Sequence, residues 1–332
     1  MSESPAMNES PAMNKALAIS IVIPTFNRQD LIGRAMQSIL DQDLHGTRIE
    51  LIVVDNNSTD NTERVVEALA KEFPEQIRYL LEPRQGVSYA RNRAIAAAAA
   101  PIVAFLDDDV RATPGWIEQI KIAFDENPGV GFVGGRVVAE WTAPPPEWLT
   151  SDHWAPLALL DYGDSVISLT SPNGIGLITA NCAIRKSVFD SAGVFKPELQ
   201  RIGNTIGSME DHELFERFLL DGVKGLYLPR LVVTAPVAPE RLTKGYHRQW
   251  HFQHGRFYAI HRSAQIERTN RGRLLGVPAH LYKQAVLDSC MYIKHSVLGT
   301  PGESFKDEAR LLFFAGFFSH RIRDYSPSLG DS

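Results

Sequence analysis

Short apolar, β-branched runs alternate with segments of helical period along the first hundred residues. Residues 18–23 (Ala-Ile-Ser-Ile-Val-Ile) read as a strand halted at Pro24. From Asp30 to Leu40 the side chains of Leu31, Ile32, Ala35, Met36, Ile39 and Leu40 gather near one helical face, with Asp30 as the expected cap. Residues 50–54 read as a second strand ending at Asp55, the polar turn 56–60 leads into a helix through Leu69, and residues 77–81 read as a third strand. Gly86 precedes a helix from about Ser88 through an alanine-rich run, and residues 102–106 form a strand that stops on Asp107-Asp108-Asp109. A further strand is expected over 131–138. This order predicts an α/β fold, a Rossmann-type mixed and largely parallel sheet flanked by helices. Ligands in such sheets bind beyond the carboxyl ends of the strands, where Asp55, Asn56 and Asp107 to Asp109 are expected to converge.

Composition narrows the classes. With 332 residues, 44% hydrophobic and 22% charged, the chain is neither fibrous nor a disordered tail. A net charge of −5 argues against a nucleic-acid partner held by a broad basic field. Two cysteines, Cys182 and Cys290, are too few for a disulfide framework and fit a reducing, cytoplasmic setting. The longest apolar run, residues 311–318, is too short to span a bilayer. Residues 1–16, with a repeated Ser-Pro-Ala-Met-Asn, are expected as a disordered leader and 326–332 as a polar tail. Between them a domain is expected over 17–235, with halves at about 17–115 and 116–235, followed by a helical extension over 236–325.

Three adjacent carboxylates repel one another, so Asp107 to Asp109 are a natural seat for Mg²⁺ or Mn²⁺, which would neutralise charge on a diphosphate leaving group. The plainer reading is a solvated or capping turn ahead of Thr113-Pro114. Glu210-Asp211 heads a helix; it is either a proton acceptor or a capping pair, with Glu213 and Arg217 spaced as a surface ion pair. Residues 241–262 interleave bases with aromatics. Three readings compete there: a metal pair at His247 and His251, a basic amphipathic helix resting on the inner membrane surface, and a packing helix whose Arg248 or a neighbouring His closes over a diphosphate. Residues 311–318 are a second candidate for membrane contact.

Four ordered segments, at 20–28 (SIVIPTFNR), 51–62 (LIVVDNNSTDNT), 105–110 (FLDDDV) and 210–214 (EDHEL), resemble glycosyltransferase family 2. The resemblance covers roughly residues 18–230 and implies a GT-A fold, a nucleotide-sugar donor, a divalent metal and inverting transfer to a saccharide or lipid-linked acceptor. It places Pro24 and Thr25 against the nucleotide, with Asn27 and Arg28 in the same loop. Asp55 and Asn56 match the paired acidic position that contacts the pyrimidine; one carboxylate is missing, which leaves the choice of nucleotide open, with a UDP-sugar favoured. Arg91 is implied as a fixed positive fork for phosphate or ribose. Asp109 is implied as the direct metal ligand, with Asp107 beside it and Asp108 at the ribose or a metal-bound water. Asp211 is implied as the base, and Glu210 as the group orienting acceptor or loop. The resemblance further implies a glycine-containing strand over 173–185, Gly134 and Gly135 near the sugar unless they form a bulge, and Cys182 as a small packed residue. Trp148 and Trp154 are expected beside the acceptor or in the core. The rivals are a sugar nucleotidyltransferase, whose Gly-rich phosphate loop is missing after strand one, and a degenerate nucleotide- or glycan-binding module, for which Asn56 is the one mark.

Overall fold

The computed structural model describes residues 16–200, 206, 209–268 and 272–325; the expected leader up to residue 15 and the tail lie outside them. In chain order the elements are β1 (Leu17–Thr25), α1 (Ile32–Leu40), β2 (Arg48–Asp55), α2 (Thr62–Glu72), β3 (Ile77–Leu81), α3 (Val87–Ala97), β4 (Ile102–Leu106), β5 (Arg111–Ala112), α4 (Trp116–Glu126), β6 (Val130–Trp141), β7 (Ile167–Leu169), β8 (Asn181–Arg185), α5 (Lys186–Ala192), α6 (Glu210–Leu220) and β9 (Lys224–Val237). Then come α7 (Lys244–Arg268), a small hairpin of β10 (Arg273–Leu274) and β11 (Val277–Pro278), α8 (Ala279–Leu298) and α9 (Pro301–Tyr325).

One nine-stranded sheet runs β3-β2-β1-β4-β8-β6-β9-β5, with β7 on β9. β1 to β4 are mutually parallel, β8 is antiparallel to both β4 and β6, and β6 runs parallel to β9. Because helices cover both faces, β1, β2 and β4 are buried along continuous apolar runs rather than alternating ones. The buried Ser20 hydroxyl inside β1 donates to Glu50 Oε1 of β2 at 2.6 Å, so neither polar group is orphaned.

Two local expectations need correction, and one alternative is decided. Asp30 does not cap α1: the N-cap is Leu31, and the amides of Leu31 and Ile32 are already satisfied by Arg28 O at 3.0 Å. Only Asn181–Arg185 of the expected 173–185 strand is extended in the sheet; the preceding residues form a loop whose Leu177 packs on Gly134. Of the two readings of Gly134 and Gly135, the bulge holds at Gly135: the β6/β9 register shifts between Gly135 and Arg136, with the extra residues on β9, and a Cβ at Gly135 would sit 1.9 Å from Leu231 O, whereas Gly134 stays paired with Tyr227.

The C-terminal helices form a three-helix layer. α7 and α9 cross at two glycines: a Cβ at Gly255 would lie 2.0 Å from Phe313 O, and one at Gly316 would lie 1.9 Å from Phe252 O. Residues 241–262 and 311–318, the two segments weighed for membrane contact, therefore largely face each other, with Tyr258 against Phe313 and Phe317. Among the described residues no helix is long and apolar enough to cross a membrane.

Candidate active site

The carboxyl ends of β1, β2 and β4, the head of α6 and one face of α7 enclose a cleft of about 1000 Å³. Of the expected site residues, Pro24, Thr25, Asn27, Arg28, Asn56, Arg91, Asp107, Asp108, Asp109, Glu210 and Asp211 line it, and Asp55 does not. Asp55 faces inward: its Oδ1 accepts from Ser58 N at 2.9 Å and its Oδ2 from Tyr79 Oη at 3.0 Å.

Asn56 is a structural staple. Its amide nitrogen donates to Glu82 O (3.0 Å) and Arg84 O (2.6 Å), and its Oδ1 accepts from Gly86 N (2.6 Å). The side chain thus joins the end of β2 to the turn that opens α3, and a carboxylate could not donate the first two bonds. Gly86 holds φ at 134°, and a Cβ there would meet the Gln200 amide at 2.2 Å; Gln200 Oε1 in turn accepts from Ser88 N at 2.7 Å at the start of α3. The loops after β1 and β2 are stitched by Asn27, at φ 52°, whose N–H donates to Ser58 Oγ and whose Oδ1 accepts from Thr59 N.

Arg91 is buried at the centre of the site. One amino group reaches Asp211 Oδ1 (3.1 Å) and Glu210 Oε1 (3.4 Å), and the other reaches Asp107 Oδ1 (3.2 Å). A cation on α3 therefore ties the acidic triplet after β4 to the acids at the head of α6, and three carboxylates occupy the fork that the sequence reading reserved for phosphate or ribose. Asp211 also accepts from Thr179 N (3.0 Å) and from Thr179 Oγ1 (2.8 Å), which fixes the carboxylate in position. Just before α6, Met209 N donates to Leu199 O at 3.0 Å. Thr179 and Gln200 carry no recognisable sequence signal, since each acts across a long chain separation.

The triplet divides its labour. Asp107 pairs with Arg91, and Asp108 lies 3.6 Å from Arg28 Nε. Burial and the neighbouring Asp109 push Asp108 up to about 7, against the pull of Arg28 and Thr25. Asp109 has no hydrogen bond or ion pair among the described residues. A hard carboxylate left uncommitted beside a crowded second one fits a divalent ion of the Mg²⁺ or Mn²⁺ kind.

The rest of the cleft comes from the later chain. Trp154, Arg241, Tyr246, Trp250 and His254 line it, whereas Trp148 packs edge-on against His247 and Phe305. Of the expected diphosphate-closing groups, Arg248 does not line the cleft but donates to Glu308 of α9 at 2.6 Å, whereas the neighbouring His254 does line it. At the expected pair of His247 and His251, His247 Nε2 meets Arg241 O at 3.1 Å and no third metal-ligating side chain joins the two among the described residues; burial pushes His247 down to about 4 and His251 to about 3. The His-rich group with ligand-like spacing is instead His212, Glu216 and His261, where His261 and Arg262 already meet the two Glu216 oxygens at 2.6 Å and tie α6 to α7. Glu213 is buried and paired with Arg217 (2.9 Å) and Lys196 (2.6 Å), a structural cluster. Cys182 is a small packed residue of β8, its thiol pushed up by burial.

Residues 20–193 match the model of glycosyl transferase family 2. The chain is 23% identical over 192 residues to a glucosyl-dolichyl phosphate glucuronosyltransferase of Haloferax volcanii, covering 57% of this chain and 59% of that one. It is 36% identical over 124 residues to the GalNAc(5)-diNAcBac-PP-undecaprenol beta-1,3-glucosyltransferase of Campylobacter jejuni, covering 37% and 38%. It thus spans under two thirds of the length of these relatives. Among solved structures, the mannosyltransferase PcManGT of Pyrobaculum calidifontis in complex with GDP-Man and Mn²⁺ superposes with a TM-score of 0.59 at 17% identity, covering 94% of this chain and 88% of that one. S. aureus TarS 1–349 in complex with UDP gives 0.54 at 17% identity, covering 94% and 92%. At such identity these neighbours speak to the fold, a mixed sheet flanked by helices with a helical C-terminal part. The family match extends over more than half of the 332 residues, and the chain belongs to glycosyl transferase family 2.

Proposed function

We propose that the chain transfers one sugar, with inversion, from a nucleotide-sugar donor to a hydroxyl of a saccharide or lipid-linked glycan, at the cytoplasmic face of a membrane. The observation that carries this reading is the Asp107–Arg91–Asp211 chain of contacts, which puts the acidic triplet and an oriented carboxylate on the wall of one cleft. Asp211 takes the acceptor hydroxyl proton as the acceptor oxygen bonds to the anomeric carbon; the bond from that carbon to the diphosphate breaks, and the nucleoside diphosphate leaves with the electron pair. Glu210 and Arg91 hold Asp211 and the acceptor side of the cleft in register. A Mg²⁺ or Mn²⁺ held by Asp109, with Asp107 and Asp108 beside it, would stabilise the charge of the departing diphosphate. Pro24, Thr25, Asn27 and Arg28 form the nucleotide side of the wall.

The names of the archaeal and Campylobacter relatives support a lipid-linked acceptor; the solved neighbours hold UDP in one case and GDP-Man in another, which leaves the nucleotide to the binding test. The staple role of Asn56 removes the argument for a decayed binding module. The test is a thermal-shift panel of UDP, GDP, dTDP and CMP with and without Mn²⁺, which raises the melting temperature if nucleotide binds the native state. Asp109→Ala should lose the metal-dependent shift. Asp211→Asn should keep it while transfer falls by a factor of about 100 or more. A panel with no shift under any metal condition refutes the reading.

A further inference from the structure

The outward face of α8 is covered by no other described element. Val286, Leu287, Ile293, Val297 and Leu298 are 62%, 50%, 65%, 77% and 79% exposed, and Cys290 is exposed among them. Their spacing at three- and four-residue steps makes one continuous stripe along the helix. An exposed apolar strip of that length marks an interaction surface rather than a chance distribution.

The charges on the face name the partner. Lys283 and Lys294 share the row of Leu287, Cys290 and Val297, both are exposed, and neither has an acid on α8 to meet it, although Glu303 at the head of α9 lies near enough to Lys294 to feel its charge. The helix has a single acid, Asp288, which is buried on the opposite side with its Oδ2 3.6 Å from Arg310 Nε of α9. The chain as a whole carries −5, so an outward face bearing only apolar and cationic side chains runs against its own average. Beside the start of α8, the β10–β11 turn exposes Leu274 (60%) and Leu275 (47%), and Tyr282 Oη donates to Leu274 O at 3.0 Å to hold the turn there. A second copy docked about a two-fold axis would bring these lysines into a buried apolar seam that offers them no carboxylate.

We propose that this face of α8, with the Leu274–Leu275 turn, docks on an anionic phospholipid bilayer. The apolar stripe enters the boundary of the acyl chains, and Lys283 and Lys294 meet the headgroup phosphates. The inference rests on the reading of a membrane-borne acceptor for its purpose, and it moves the contact away from the two segments that pack on each other.

The test is co-sedimentation of the full chain with phosphatidylglycerol–phosphatidylcholine vesicles, against phosphatidylcholine alone, without donor or acceptor. The chain should pellet with the anionic vesicles and be released by salt. Lys283→Gln with Lys294→Gln should weaken partitioning by a factor of about 10 to 30. Val286→Ser with Ile293→Ser and Val297→Ser should weaken it at least as much, with melting temperatures unchanged because every substituted side chain is exposed. No binding to anionic vesicles, or binding that both variants leave intact, overturns the proposal. A dimer in sedimentation velocity that the triple variant dissolves, without vesicle binding, assigns the face to a second copy and also overturns it. Transfer is read separately: vesicle binding without transfer to either a soluble saccharide or a lipid-linked glycan refutes the acceptor reading alone.

Discussion

Arg91 Nη1 lies 3.1 Å from Asp211 Oδ1, so the helix after β3 holds the carboxylate at the head of α6 across 120 residues of chain. Removing the cation leaves Asp107, Glu210 and Asp211 buried or half-buried around an empty centre. Arg91→Ala should cost about 3–5 kcal/mol in stability and abolish transfer. Arg91→Lys should fold better but remain poorly active, because one ammonium cannot replace a planar fork that spans three carboxylates. Urea titration followed by a transfer assay on the folded fraction separates the two effects.

Asn56→Asp restores the acidic pair expected of the family, and the structure argues that it harms the protein. The new carboxylate faces Glu82 O and Arg84 O with no proton to offer, leaving two acceptors unmatched. The loss should be about 2–3 kcal/mol, without tighter binding of UDP. Denaturant midpoint and a nucleotide titration measure both; a gain in UDP affinity at unchanged stability would show that the amide is a ligand contact instead.

Burial holds His247 at about 4 and His251 at about 3 in the folded chain, below the ordinary histidine value near 6.5. The unfolded chain therefore binds more protons through this range. The stabilisation from keeping these rings neutral is complete above about pH 6.5 and is lost as pH falls toward 4, at up to about 1.4 kcal/mol per unit for each ring. Melting temperature should drop on acidification from pH 7 to 5. His247→Gln should flatten the dependence, and an identical slope in that variant counts against the assignment.

Gly316→Leu places a side chain where a Cβ alone would lie 1.9 Å from the backbone oxygen of Phe252. α7 and α9 must then separate, exposing the Tyr258 and Phe317 contact. The cost should reach about 3 kcal/mol or more, as in an overpacked core, and protease sensitivity should rise in the C-terminal helices first.

The strands β1 to β4 were legible because each is a buried apolar run bounded by turn residues. The acidic triplet after β4 was legible because topology sends such strand ends to one edge, whereas Asp55 at the end of β2 turns inward to Ser58 and Tyr79. The 173–185 segment misled because the family resemblance implied a strand over its whole length, whereas the residues before Asn181 form a loop whose Leu177 packs on Gly134. Arg91 could be read as a cation near the site but not as a bridge between two acidic clusters, since that depends on where α3 and α6 meet. The later helices defeated pattern reading for a related reason. Arg248 and Arg262 look like free positive charge in the sequence and are spent on Glu308 and Glu216.

Asp211 accepts from both the amide and the hydroxyl of Thr179, two residues before β8, and β8 is paired with β4, whose end leads into Asp107. The separation between that carboxylate and the acidic triplet is therefore gauged by the register of two neighbouring strands, and a one-residue slip between β4 and β8 would throw the two out of alignment before any helix moved.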